Sequence, residues 1–223
     1  MLNERLSQIR DDITAATLAA ERPAGCVTLV AVSKQQPDER IEAALAAGLR
    51  VFGENRVQEA KSRWHQRRQH WPDLELRLIG PLQTNKAEEA VGLFDVIETL
   101  DREKLAVALA KAMTKLGRQL PCLIQVNTGM EAQKAGIAPT EAVDFARHCR
   151  QQHGLNIAGM MCIPPLDEQP AMHFALLAKL ASKAGLEVLS MGMSGDYAEA
   201  IRFGASHVRI GSALFGERPH PAV

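Results

Sequence analysis

The sequence predicts an α/β protein in which a single domain, residues 1–223, forms a closed (β/α)8 barrel with an extra helix at its amino end. Short, almost wholly apolar runs alternate along the chain with longer amphipathic runs. This alternation is typical of a parallel sheet covered by helices on its outer face. About eight such pairs can be recognised, which is the number that closes a TIM barrel, and 223 residues lies toward the short end of that fold's range.

The first half of the chain supplies an entry helix and four strand–helix pairs. The entry helix is predicted at about 3–20, where charged and apolar residues follow helical spacing. In the next helix, Pro37 suits the first turn and Gly48 suits the position after the last turn. The predicted strands are VTLVAVS (27–33), LRVFGE (49–54), ELRLIG (75–80) and DVIETL (95–100), followed by helices at 37–48, from about Arg56 to His70, at 84–93 and at 101–117.

The second half repeats the pattern and bears on closure of the sheet. The predicted strands are 121–127, 155–163, 186–192 and a last one within 206–216, with helices at 139–154, 169–185 and 195–204 between them. Too little chain follows the last strand for a full covering helix, so we expect the helix at 3–20 to take that place. A doubly wound open sheet is the alternative. It would favour a G-x-G-x-x-G or G-x-x-x-x-G-K-[ST] turn, and neither motif occurs.

Composition narrows the functional class. Lys+Arg and Asp+Glu number 26 each, so the net charge does not favour binding to nucleic acid or to an anionic membrane. The amino end has no apolar signal core, and no run approaches the length of a membrane span. The four cysteines are widely spaced without a metal-ligand pattern, as expected of free thiols in a reducing compartment. We therefore expect a cytoplasmic protein.

A lysine stands where the first strand ends. Lys34 closes VTLVAVS at the end of the barrel where active sites of this fold lie. Partial desolvation there would lower its pKa and increase the share of neutral amine, which attacks aldehydes. The alternative is a lysine whose stem lies along apolar surface with its charge in water.

Other strand ends add polar groups to the same rim. Asn55 follows the second strand, and Arg209 lies within the last one. Ser194, Gly211 and Ser212 supply hydroxyls, glycine and amide groups after the last two strands, the usual phosphate site of such barrels. A phosphate site facing an amine indicates a phosphorylated aldehyde as ligand, and pyridoxal 5′-phosphate (PLP) has both groups.

Five segments carry a family resemblance over nearly the whole chain: LVAVSK, FGENRVQEA, LIGPLQTNK, QVNTGMEAQKAGI and SMGMSGDYAEAI…VRIGSALFG. In their order they resemble the YggS/PROSC family of PLP homeostasis proteins. That family is similar to the barrel domain of alanine racemase and of the fold-type III decarboxylases. The resemblance implies a protein that binds PLP without an established catalytic activity and keeps this reactive aldehyde available and harmless.

The resemblance also implies a role for each matching residue. The lysine that forms the Schiff base falls on Lys34, and the asparagine beside the cofactor falls on Asn55. The arginine that faces the pyridine nitrogen falls on Arg209, and the phosphate binders fall on Ser194, Gly211 and Ser212. A permanent cation beside the ring nitrogen disfavours its protonation, which weakens the cofactor as an electron sink. Such a site suits storage, or a racemase with strong bases of its own.

A PLP-dependent racemase acting on amino acids is the alternative function. Alanine racemases add a tyrosine base and a carboxyl-terminal β-domain at a dimer interface, whereas this chain has one tyrosine, Tyr197, and ends 12 residues after Gly211. We therefore expect a monomeric PLP carrier. Its protein partners would be apo forms of PLP-dependent enzymes, and a sensor that binds partners according to its cofactor state fits the same residues.

Several further residues are assigned less specifically. Many relatives have a histidine where this chain has Arg77, and Lys134 is either a second amine over the mouth or a surface lysine. Met191 is expected to pack, with contact to a ring face as the alternative. Glu54 either orients Asn55 or Arg56 or is a solvated carboxylate at a helix start. His207 begins the last strand, at the end away from the chemistry.

Overall fold

A computed structural model describes residues 1–217 and shows a closed barrel of eight parallel strands in sequential order. The strands are β1 (Thr28–Val32), β2 (Val51–Glu54), β3 (Glu75–Leu78), β4 (Val96–Leu100), β5 (Cys122–Val126), β6 (Ile157–Cys162), β7 (Val188–Ser190) and β8 (His207–Ile210). β8 closes the barrel against β1, with Thr28 opposite His207 and Ala31 opposite Ile210. The predicted fold class is therefore confirmed, and the open sheet is excluded.

Helices cover the outside of the barrel. They are α1 (Leu2–Ala19), α2 (Asp38–Ala46), α3 (Val57–Trp64), α4 (Arg67–His70), α5 (Ala87–Leu93), α6 (Glu103–Leu116), α7 (Ala142–His153), α8 (Pro170–Ala184), α9 (Tyr197–Arg202) and α10 (Ser212–Phe215), with a 3-10 turn at Thr84–Lys86 before α5. Within residues 1–217 no helix combines the length and apolar character needed to cross a membrane.

Helix α1 takes the place of a missing covering helix, as the sequence predicts. The helix after β8, α10, spans four residues, and α1 packs against both α9 and α10. Arg22, just after α1, donates hydrogen bonds to the carbonyl oxygens of Ile201 and Ala205 at 2.8 Å each. The amino-terminal segment is thus joined to the last strand–helix pair.

One predicted helix is divided. The sequence predicts a single helix from about Arg56 to His70, whereas the structure has α3 and α4 with a break at His65 and Gln66. At the break the carbonyl oxygen of Arg63 accepts a hydrogen bond from the Arg67 guanidinium at 2.6 Å. The Arg67 side chain thus donates to a carbonyl oxygen that would accept a backbone N–H in a continuous helix.

The core contains charge as well as apolar side chains. Large side chains such as Trp64, Phe52 and Phe94 are fully buried between strands and helices. Four charged residues are buried with them: Glu54, Arg77, Glu98 and Arg209. Buried charges are costly unless they are paired, so these four indicate where the fold holds polar networks.

The predicted single domain of 1–223 includes residues 218–223, which lie outside the described residues.

Candidate functional site

Lys34 lies at the carboxyl end of β1, as predicted, and is half-buried. Gln35, the next residue, has a φ of 57°, in the left-handed region that residues other than glycine rarely adopt. The chain therefore turns sharply directly after the lysine. Ser33, directly before it, is wholly buried, and its hydroxyl donates to the Glu54 carboxylate at 2.7 Å.

Glu54 joins the ends of β1 and β2 to α3. Its Oε1 accepts hydrogen bonds from Ser33, from Arg63 at 2.9 Å and from the indole N–H of Trp64 at 3.0 Å. Arg63 also donates to the carbonyl oxygens of Ser33 at 2.9 Å and Gln36 at 3.1 Å. This network, which we call the Glu54 network, fixes the backbone on both sides of Lys34.

The Glu54 network corrects a prediction. The sequence left Glu54 either as a group that orients Asn55 or Arg56 or as a solvated carboxylate. The side chain is instead 0% exposed, and its partners are Ser33, Arg63 and Trp64. The carboxylate is therefore held by Ser33 and by two residues at the end of α3, Arg63 and Trp64. It is not held by Asn55, Arg56 or solvent.

Asn55 follows β2 at the same end of the barrel and is half-buried. Gly80, after β3, packs directly on it: a Cβ at Gly80 would lie 2.3 Å from the backbone oxygen of Asn55. Only glycine allows this approach, so the β3 loop holds Asn55 in place. Asn55 also lines an open cleft of about 750 Å³, together with residues such as Gln83 and Arg102 from the neighbouring loops.

The loops after β7 and β8 meet at a cluster of hydroxyl and amide groups. The Ser212 hydroxyl donates to the Ser194 Oγ at 3.3 Å, and the Ala213 backbone N–H donates to the same Oγ at 3.3 Å. Ser212 is exposed and Ser194 is half-buried, so the cluster faces the outside of the mouth. Gly211 lies against Val32 of β1, with 3.4 Å between the position of an added Cβ and the Cβ of Val32.

Arg209 is fixed inside the barrel. Its Nη1 donates to the Ser190 hydroxyl at 2.8 Å, and its Nη2 donates to the Cys162 carbonyl oxygen at 2.8 Å. The Ser190 hydroxyl in turn donates to Oε2 of Glu98 at 2.6 Å. Arg77 donates from its Nε to Oε1 of Glu98 at 2.5 Å. We call this set of residues the Glu98 network.

The Glu98 network is ionic at neutral pH. Burial by itself would raise the pKa of Glu98, but the charges of Arg77 and Arg209 and hydrogen bonds from Ser190 and Arg77 outweigh it and hold the pKa below its usual value. Burial also acts against the charge of Arg77, but Glu98 and Glu75 raise the pKa of this arginine above its usual value. Arg77 is therefore a paired cation.

His207 lies near this network at the start of β8. Burial, followed by the positive charge of Arg77, lowers the pKa of His207 to about 4, with Glu98 acting in the opposite direction and Arg209 in the same direction as Arg77. The imidazole Nδ1 lies 2.9 Å from the Ser206 hydroxyl. His207 is therefore neutral in the folded protein at neutral pH. Its place at the amino end of β8 agrees with the sequence analysis.

Two secondary candidates have local partners. Lys134 lies in the loop after β5, where its ammonium contacts Glu131 at 2.6 Å and the carbonyl oxygen of Pro164 at 3.4 Å. Met191 follows β7 and is 0% exposed within the apolar core, which is the packing role that the sequence favours.

Topology gathers the six main candidates at one end of the barrel. Lys34 and Asn55 follow β1 and β2, Ser194 follows β7, and the last group lies on or after β8: Arg209, Gly211 and Ser212. Since β7, β8, β1 and β2 are consecutive around the barrel, all six belong to one sector of it. Direct contact is seen between Ser194 and Ser212.

Sequence reasoning missed Glu98 and Ser190, which hold Arg209. Both lie within apolar runs, where each was treated only as part of a strand. A signal was present in the charges: Arg77 and Glu98 stand within the adjacent strands β3 and β4. Opposite charges inside neighbouring buried strands are expected to pair, because each alone would be costly.

Comparison with known proteins gives one family over the chain. Residues 5–219 match the family described as "Alanine racemase, N-terminal domain". The pyridoxal phosphate homeostasis protein of Pasteurella multocida is 39% identical over 229 residues, covering 98% of this chain and 98% of its own. The protein of the same name from Escherichia coli K12 is 37% identical over 224 residues, covering 96% of each.

Solved structures agree in fold. PipY of Synechococcus elongatus, determined with PLP bound, is 36% identical and superposes with a TM-score of 0.82, covering 97% of this chain and 100% of its own. The same protein without PLP gives a TM-score of 0.84. An alanine racemase from Clostridium difficile is 16% identical, with a TM-score of 0.75 over 98% of this chain and 57% of its own. This last likeness concerns the fold alone.

Proposed function

This chain belongs to the pyridoxal phosphate homeostasis protein family, and from that premise we propose that it binds PLP at the mouth of its barrel and serves PLP homeostasis in the cell. The observation that carries the proposal is the meeting of Ser194 and Ser212 across two loops, beside the strand that ends in Lys34. The bound PLP of the similar PipY structure supports it.

The donor set of the mouth fits the parts of this cofactor. A phosphate dianion needs several hydrogen-bond donors, and the hydroxyls of Ser194 and Ser212 with the nearby Ala213 amide can supply them. An aldehyde needs an amine, which Lys34 supplies at the rim of the adjacent strand. A pyridine nitrogen left unprotonated can accept a hydrogen bond from a cationic donor, and the buried guanidinium of Arg209, held by Ser190 and the Cys162 carbonyl oxygen, is such a donor.

Each residue then has a distinct role in the proposal. When bound, PLP supplies an aldehyde for Schiff-base formation and an electron-poor ring. Lys34 would hold the aldehyde carbon, and the Glu54 network would orient the lysine's backbone. Asn55, held by Gly80, would lie beside the cofactor. Arg209 would disfavour protonation of the ring nitrogen, since its own charge is permanent.

We propose that the protein carries PLP without catalysing a reaction of amino acids. The chain's one tyrosine supports this, because Tyr197 donates its hydroxyl hydrogen bond to Asp12 of α1 at 2.7 Å. Burial, followed by the hydrogen bond and charge of Asp12, raises the pKa of Tyr197 to about 12. A phenol that is hydrogen-bonded to a helix on the outside of the barrel does not serve as a tyrosine base at the mouth.

The test of the site is a visible spectrum after incubation with PLP, followed by borohydride reduction and peptide mass mapping. We expect a yellow protein and one pyridoxyl group on Lys34. Lys34→Ala should lose both, while Lys111→Ala, which changes an exposed lysine of α6, should keep both. Ser194→Ala should retain the colour but release the cofactor faster on dialysis. Label spread over surface lysines in the wild-type protein would refute the proposal.

Catalysis and partners are tested separately. The loaded protein, incubated with alanine and other amino acids, should give no racemisation above that of free PLP.

We also propose a monomer in the cytoplasm that hands PLP to apo-enzymes. The free thiols among residues 1–217 fit a reducing compartment. Light scattering should give the monomer mass. Transfer to an apo-aminotransferase should exceed the rate of passive release, and equal rates would reduce the role to buffering.

A further inference from the structure

Two histidines and a glutamate converge on the outer surface of the barrel, away from the mouth residues described above. His153 Nε2 lies 2.6 Å from the Glu103 carboxylate, and His148 Nε2 lies 3.3 Å from it. Glu103 begins α6, while His148 and His153 belong to α7. The three side chains therefore connect two neighbouring helices.

The two imidazole rings are held against each other. Their centroids are 5.2 Å apart and their planes stand at 80°, an edge-to-face arrangement. The His153 side chain is 16% exposed and the His148 side chain is 47% exposed, so one ring is largely fixed by its surroundings and the other is accessible. Both rings direct Nε2 toward the same carboxylate.

This geometry matches the needs of a zinc ion. One ligand atom from each of the three residues lies within 4.8 Å of the other two. Zinc binds imidazole nitrogen and carboxylate oxygen at about 2.0–2.2 Å, so ligand atoms in a tetrahedral site are roughly 3.3 Å apart. Small side-chain rotations would therefore place all three at bonding distance. Two histidines with one glutamate, leaving a position for water, are a donor set that zinc uses in proteins.

The charge of the cluster also suits a cation. Glu103 supplies carboxylate oxygens, whose negative charge favours a cation, and His148 and His153 supply imidazole nitrogens. Cys149, beside His148 in sequence, is a buried free thiol. The proposed ligands are therefore nitrogen and oxygen atoms.

We propose that Glu103, His148 and His153 form a Zn²⁺ site that bridges α6 and α7. The site is independent of the proposed PLP function, since it shares no residue with the mouth. Bound metal would link two helices of the outer layer and stabilise the folded state, because binding to the folded state alone shifts the unfolding equilibrium.

The test is calorimetric titration of ZnCl₂ into untagged protein that has been freed of metal with a chelator. We expect one equivalent of Zn²⁺ and a higher melting temperature in its presence. His148→Ala, His153→Ala and Glu103→Gln should each weaken Zn²⁺ binding at least about tenfold. His70→Ala is the matched control, because it removes an exposed histidine whose Nδ1 lies 3.2 Å from the Gln66 carbonyl oxygen, and it should bind Zn²⁺ like wild type.

Circular dichroism would show that each variant is folded. No binding, or several weak equivalents without saturation, would overturn the proposal. Binding that survives in the His148→Ala and His153→Ala variants would overturn it as well, because the metal would then lie elsewhere. None of these results depends on whether PLP binds at Lys34.

Discussion

The Glu54 and Glu98 networks use buried carboxylates in different ways. Both side chains are 0% exposed. Glu54 gathers three donors on Oε1, while its Oε2 has no hydrogen-bond partner among residues 1–217. Glu98 uses both oxygens, one for Arg77 and one for Ser190.

The difference lies in what each network fixes. Arg63 of the Glu54 network reaches the surface and holds backbone carbonyls on either side of Lys34. The Glu98 network holds a side chain, Arg209, in the interior through Ser190. The proposed site therefore has its amine oriented from outside the barrel and its cation oriented from inside. Removing either carboxylate should have consequences that differ in size.

The largest expected effect is that of Glu98→Ala. It leaves Arg77 and Arg209 buried without their shared anion, and breaking a buried ion pair from one side costs about 3–5 kcal/mol. We expect this loss in the free energy of unfolding by urea. Glu88→Ala, which removes an exposed carboxylate of α5 paired with Lys115, is the control and should stay close to wild type. A loss from Glu98→Ala no larger than the control's would contradict the network.

The second effect is a pH dependence that arises from His207, beside the Glu98 network. His207 has a folded pKa of about 4 against about 6.5 when unfolded, so the unfolded chain binds more protons between these values. Stability should fall as the pH drops from 6.5 to 4, by up to about 3 kcal/mol from this residue. Glu98, with its lowered pKa, adds a loss in the same direction at lower pH.

The variant His207→Gln separates the two contributions. It removes the histidine's titration, so unfolding measured between pH 7 and pH 4.5 should depend less on pH than in the wild type. The remaining decline at lower pH would report on carboxylates such as Glu98. An identical pH profile for both proteins would mean that His207 does not titrate as described.

Glu54→Gln should have a smaller effect than Glu98→Ala. Glutamine keeps the shape and can still accept from Ser33 and Trp64, while Arg63, 15% exposed, can turn to water. Losing one hydrogen bond to a charged group costs about 1.5–3 kcal/mol. Hydrogen exchange should also speed up at the Gln36 amide, which donates to the Ser33 carbonyl oxygen. Unchanged exchange there would show that the network does not hold the Lys34 backbone.

The smallest effect should come from Lys134→Ala. Its pair with Glu131 is partly exposed, and such pairs contribute about 0.2–1 kcal/mol. This variant gives the baseline against which both buried carboxylates can be compared in the same unfolding experiment. A loss as large as that of Glu54→Gln would assign Lys134 a structural role that its exposure does not indicate.

Much of the fold could be predicted because short apolar, β-branched runs alternate regularly with longer amphipathic runs. Runs such as LVAV and CLIQV are typical of parallel strands that are buried on both faces, and eight of them with helices between favour a closed barrel. The break between α3 and α4 could not be predicted in this way. At this break the Arg67 side chain donates to the Arg63 carbonyl oxygen, a contact that helical periodicity does not encode.

The candidate site was predicted less completely than the fold. Strand ends are readable from sequence, so Lys34, Asn55 and Ser212 could be assigned to one rim. What orients them is not local: Ser33 and Glu54 are 21 positions apart, and Ser190 and Glu98 are 92 apart. Such partners become predictable only when the strand order and the facing of each strand are known.

The seam between β1 and β8 has a consequence for the order in which the molecule can be completed. Thr28 pairs with His207, and Arg22 donates to the Ala205 carbonyl oxygen, 183 positions away in sequence. During synthesis β1 therefore cannot form these contacts until β8 has been made. Until then one edge of β1 offers unpaired backbone groups, which is a hazard for association with other chains. Contacts this distant in sequence also slow folding, because the chain must close a long loop first. Synthesis must therefore have passed β8 before the mouth of the barrel can form.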